Sequence, residues 1–192
     1  MLILSVVATL VGFAVPLGAE DAKIIADQVD QMVTQGTTEG TLIPDIFVNN
    51  FRLCLLMFIP LVGAAIGLFI LFNTGMAFRA ILETQVASLA ATPTPGLTPI
   101  PTLSPTPLPD VSSTMAILVL LSIGIVFLLE YVSYTIGMTE SIWLFRRILH
   151  AHDKVMLKRE VKYLLIFIGL VALLLLIGAV VETYGITFGA GV

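Results

Sequence analysis

The sequence is short of charge. Asp, Glu, Lys and Arg make up 11% of its 192 residues, where soluble domains carry about a quarter. Nine basic residues against thirteen acidic ones leave a formal net charge of −4, so there is no broad basic face for nucleic acid. One cysteine, Cys54, excludes an internal disulfide and a multi-cysteine metal centre. The patterns GxxxxGK(S/T), HExxH and GxSxG are absent, as is any Gly-rich loop to cradle phosphate. An enzyme is therefore the least supported class, and no residue pattern asks for a cofactor. His150, His152 and Asp153 have metal-ligand chemistry, but they sit in a basic segment where simple solvation is the plainer role.

What the chain has in quantity is hydrocarbon, with 58% hydrophobic residues. A bilayer core about 30 Å thick takes about 20 apolar residues of helix. Residues 53–72 and 163–181 are such runs without a charge, and 115–129 is apolar with the character continuing past Glu130 to Gly137. Residues 2–19 are long enough if tilted. A cleaved signal peptide is the rival reading of that segment; no Lys or Arg precedes it, and Leu17 suits a small-x-small cleavage site poorly. Residues 76–91 hold Arg79, Glu83 and Gln85 among Phe78, Ile81, Leu82, Val86 and Leu89, which predicts a short helix with a polar stripe.

Charge placement orients the set. Arg146, Arg147, Lys154, Lys158, Arg159 and Lys162 fall within one short stretch, which the positive-inside tendency puts in the cytoplasm. Residues 20–45 carry six acids and only Lys23, which suits the outer side. For the last two spans to run inward and then outward, 76–91 must also cross. The expectation is an all-α polytopic transmembrane bundle, one integral membrane domain over 1–192 with about five membrane helices. An outer amphipathic helix over 20–35, with Ala22, Ile25, Val29 and Met32 on one face, joins the first two spans. Residues 92–110 hold seven of the ten prolines among Thr and Ser, and read as a stiff or disordered extracytoplasmic loop within the domain.

Ionisable groups in hydrocarbon need partners or a function. Arg79 and Glu83 stand four apart on one helical face and neutralise each other. Arg52 and Glu182 lie at equal depth and form a candidate interhelical pair. Glu130 and Glu140 have two readings: a cation path or proton relay, or carboxylates fixed by hydrogen bonds from neighbouring helices. Asn49, Asn50 and Asn73 bracket the second span, Asn73-Thr74-Gly75 predicts its sharp end, and Pro60 predicts a kink within it. Gly63 and Gly67 form a GxxxG face for close helix contact, which allows a homo-oligomer without requiring one. Cys54 reads as a packing residue.

Three pieces of the sequence, in order, resemble the stage II sporulation protein M family of membrane proteins. Phe47-Val48-Asn49-Asn50 and Asn73-Thr74-Gly75 are similar to the family's "NN" and "NG" elements. The stretch from Tyr134 through Gly137 and Glu140 to Ile142 resembles its Pro-His-Gly-x-x-Glu-leucine signature, with Thr135-Ile136 in place of Pro-His. The stretch from Ile177 through Glu182 to Thr187 resembles its closing motif. The resemblance implies a five-helix integral membrane protein. In spore formers such proteins anchor peptidoglycan-degrading partners; many other members lie outside sporulation. The functional expectation is a membrane scaffold or assembly subunit with membrane or extracytoplasmic protein partners. A transport component using Asn73, Arg79, Glu83, Glu130 and Glu140 is the alternative.

Overall fold

A computed structural model describes residues 1–91, 113–150 and 154–189. Six helices and no strand occur among the described residues: α1 (Leu2–Ala14), α2 (Ala19–Glu39), α3 (Leu42–Met57), α4 (Gly63–Ala91), α5 (Ser113–His150) and α6 (Lys154–Gly189). The Pro-rich loop over 92–110, together with His152 and Asp153, lies outside the described residues.

Local chemistry sets the joints. α2 ends where Gly40 takes a left-handed φ of 70° and the Thr41 N–H reaches the Gly36 carbonyl at 2.9 Å, a Schellman-type stop. The Thr41 hydroxyl then donates to Asp45 Oδ2 at 2.6 Å across the first turn of α3. α3 stops at Met57 because Pro60 cannot donate a backbone hydrogen bond, and Leu61 adopts a φ of 73° in the turn. The Ile59 carbonyl accepts the Gly63 N–H at 2.8 Å and the Ser141 hydroxyl at 2.6 Å, which ties the turn to α5.

Contact registers give the directions. Asn50, Cys54, Met57 and Ile59 meet Glu130, Ser133, Gly137 and Ser141 in turn, so α3 and α5 run parallel. Gly63, Gly67 and Phe78 meet Ser141, Met138 and Phe127, so α4 returns antiparallel to both. α5 and α6 form an antiparallel hairpin, with Ser122 at Gly185 and Arg147 at Glu160. α1 lies along α4 in the same direction: Thr9 and Phe13 flank Gly75, and Phe13 and Ala14 offer carbonyls to Arg79. The core where α3, α4, α5 and α6 meet contains Cys54, Met57, Leu71, Tyr134, Met138, Val171 and Leu175.

Polarity is distributed inside out. Ser5, Thr9, Ser133, Glu140 and Ser141 are buried, while Leu165, Ile166, Leu170, Leu173 and Leu176 of α6 and Phe69 of α4 are exposed. A continuous apolar exterior of this kind needs hydrocarbon around it. Gly63–Thr84, Leu121–Leu149 and Lys158–Thr187 are long and apolar enough to cross a membrane.

That is three helices among the described residues, fewer than the roughly five expected. The 53–72 run is not one helix: the turn around Pro60 divides it between α3 and α4. Residues 76–91 are not a separate helix either, because α4 continues through Asn73-Thr74-Gly75 without a break. The Asn73 amide donates to the Phe69 carbonyl at 2.7 Å and the Thr74 hydroxyl to that of Ile70 at 3.0 Å, so neither side chain competes with the helix. α1 stops at Ala14, and its 13 residues span only about 20 Å. The expected amphipathic helix is present as α2 and is longer than expected. Ala22, Ile25, Ala26, Val33 and Gly36 form its covered side and Met32 is exposed, so the face drifts from the expected stripe.

Candidate functional site

The polar groups inside the bundle fall into three clusters at different depths. The innermost sits where α5 and α6 leave the core. Arg147 reaches Glu160 at 2.9 Å and Glu140 at 3.8 Å, and its guanidinium and that of Arg146 lie over the Trp143 ring. Glu140, buried on the α5 face, is therefore compensated by a cation seven residues along its own helix. One turn deeper, Gly137 allows α3 to approach: a Cβ there would meet Met57 and the Cys54 carbonyl.

The middle cluster joins α1, α3 and α5. The Asn50 amide donates to Glu130 Oε1 at 2.5 Å, and Asn49 donates to Asn50 Oδ1 at 3.5 Å. The Cys54 thiol points to the Ser133 carbonyl at 3.5 Å, and the thiol is fully buried. Tyr131 stacks on Phe127 and shares a hydrogen bond with the Thr9 hydroxyl. Tyr134 is buried in the core cluster with Cys54 and Met57.

The outer cluster ties α1 to α4. Arg79 Nε donates to Glu83 Oε1 at 2.7 Å, so this expected pair forms. The same guanidinium donates to the Phe13 and Ala14 carbonyls at 3.3 Å each. A cation thereby caps the C-terminus of α1, where the helix dipole is negative. Gly75 does not end a helix; it lets α1 and α4 touch backbone to backbone, with Gly12 its counterpart against the Phe72 carbonyl.

One expected pair does not form. Arg52 is exposed on α3 and makes no ion pair with Glu182. Glu182 instead turns into a cavity of about 450 Å³ shared with Glu130 and walled by Phe78, Val126, Phe127 and Ile186. Glu130 and Glu140 stand ten residues apart on α5, about 15 Å along the helix, and Glu130 but not Glu140 lines that cavity. A second cavity of about 570 Å³ lies between α2 and α4, lined by Lys23, Asp27, Asp30, Ile81 and Thr84 among others. Among the described residues no group of three or more His, Cys, Asp and Glu could hold a metal ion.

Several partners were not singled out from the sequence. Ser5, Thr9 and Gly12 form a small and polar stripe at spacings of four and three, a readable sign of close helix contact in α1. Ser133, Ser141 and Glu160 have no such local signature, because their partners come from other helices. No family model matches the chain, and no curated protein or solved structure does so either.

Proposed function

We propose that this chain is a non-catalytic integral membrane scaffold or assembly subunit that recruits envelope partners. The observation that carries the reading is how the intramembrane ionisable groups are used. Arg79 with Glu83, Arg147 with Glu140 and Glu160, and Asn50 with Glu130 each join helices or stabilise a helix end. Groups engaged in this way lock an architecture; they do not form a continuous route for solute. The ordered resemblance to the stage II sporulation protein M family supports the same class.

In this reading the short helices α1 and α3 also cross, packed against the long α4, giving five crossings in all. α1 runs outward, α3 inward, α4 outward, α5 inward and α6 outward. The basic stretch 146–162 is then cytoplasmic, and α2, the Pro-rich loop and the last residues lie outside. α2 is the recruiting element. Glu20, Asp21, Asp27, Asp30 and Glu39 are exposed on it, as are Ile24 and Met32. A mixed acidic and apolar surface held on the bundle suits an extracytoplasmic protein partner.

The second reading is a transport component. The cavity at Glu130 and Glu182 favours it. Purification of the tagged protein from its native membranes in mild detergent separates the two. The scaffold reading expects a stoichiometric partner that survives Glu130→Gln and is lost with Asp27→Lys plus Asp30→Lys. A protein recovered alone, with Glu130-dependent solute flux in proteoliposomes, would establish transport instead.

A further inference from the structure

The cavity between α4, α5 and α6 has a chemical character that partner recruitment does not use. Its volume, about 450 Å³, falls in the range of small-ligand sites, about 300–1,000 Å³. Its walls are hydrocarbon and aromatic: Phe78 of α4, Val126 and Phe127 of α5, and Ile186 of α6. Phe78 and Phe127 form a tilted pair with centroids 6.1 Å apart. Two carboxylates enter this apolar space, Glu130 from α5 and Glu182 from α6.

The two acids are not equally engaged. Glu130 has the Asn50 amide, whereas Glu182 makes no hydrogen bond or ion pair with any described residue. The candidate counter-ion, Arg52, stays on the exposed side of α3.

We propose that this cavity binds an organic monocation with an apolar body, an ammonium or guanidinium carried on hydrocarbon, whose charge sits between Glu130 and Glu182. Two acids exclude an anion. A neutral hydrocarbon would fill the walls and leave Glu182 unpaired in a low-dielectric setting. A hard divalent ion needs about six to eight oxygen ligands, and the side chains lining the cavity offer two carboxylates and the Ser122 hydroxyl. Aromatic faces beside the acids suit a diffuse organic cation better, through cation–π attraction. The chemistry is shared by the headgroup of an amine-bearing lipid and by a free hydrophobic amine.

The test is binding to the full-length protein, delipidated in a non-ionic detergent, with octylammonium as the probe and 1-octanol as its uncharged counterpart. Saturable heat of binding is expected for octylammonium and not for octanol. Glu182→Gln, which keeps shape and removes charge, should weaken octylammonium by about tenfold or more, the value of one charge-assisted contact. Ile186→Trp fills the cavity while keeping both acids and should abolish binding. Each variant is first required to match the parent in circular dichroism and in denaturant midpoint; if Glu182→Gln fails to fold, Ile186→Trp and the octanol comparison carry the decision. Competition by phosphatidylethanolamine but not phosphatidylglycerol in mixed micelles assigns the lipid source, and absence of competition assigns a free amine. Equal binding of octanol and octylammonium, or undiminished binding in the folded variants, overturns the proposal.

Discussion

Gly75→Ala adds one methyl group, and in most helices that change stabilises. Alanine is favoured over glycine in a helix interior by about 1 kcal/mol. At Gly75 the sign should reverse. The new methyl would fall on the Thr9 carbonyl oxygen, with the Phe13 nitrogen 2.8 Å from the same point. Both are backbone atoms of α1, so no side-chain rotation relieves the clash, and α1 must move off α4. Overpacking of this kind costs about 1–3 kcal/mol. Separation also loosens the Thr9–Tyr131 hydrogen bond, worth about 1 kcal/mol. Set against the propensity gain, the net loss should be about 1–3 kcal/mol. Gly124→Ala and Gly169→Ala are the controls, since a Cβ at either position meets nothing within 4 Å; both should be neutral or stabilising by up to about 1 kcal/mol. Unfolding in mixed micelles titrated with dodecyl sulfate, followed by far-UV circular dichroism, measures all three. A Gly75→Ala protein as stable as Gly124→Ala would refute the close contact between α1 and α4.

Three further perturbations probe the polar clusters. Asn50→Leu removes the donor to Glu130 and should cost about 1.5–3 kcal/mol as a hydrogen bond to a charged group; most of that loss should vanish in the Glu130→Gln background, a coupling that a double-mutant cycle reads directly. Arg147→Gln strands Glu140 and Glu160 and should cost about 1–3 kcal/mol, the buried-pair figure discounted for the partial exposure of Arg147. Arg159→Gln, an exposed residue 4.0 Å from Glu160, should change the unfolding midpoint little. Cys54, with no exposed surface, should resist maleimide in the folded protein and react fully once dodecyl sulfate unfolds it.

The membrane character, the all-helical class, the amphipathic helix α2 and the Arg79–Glu83 pair were legible in the sequence because each rests on local pattern. Length and polarity identify a membrane helix, and a spacing of four places two charges together. The joints were less legible. Pro60 has the same chemistry whether it kinks a helix or ends one, and the choice depends on α3 folding back along α4, a tertiary event. Gly75 was noticed for the wrong reason: Asn-Thr-Gly is a common turn sequence, yet here the missing side chain admits the backbone of α1. The pairing of Glu182 failed for a similar cause. Depth estimated from chain position put Arg52 opposite it, but a helix presents a residue at one azimuth only, and Arg52 faces outward. Azimuth follows from packing, which a single sequence does not display.

The central claim is a polytopic bundle with its basic hairpin inside and its Pro-rich loop outside. Single cysteines at Thr102 and at Lys158, each in a Cys54→Ala background, test it in intact cells with a membrane-impermeant thiol reagent. The account predicts labelling at position 102 from outside, and labelling at position 158 only after permeabilisation. Labelling of both from the same side would contradict it.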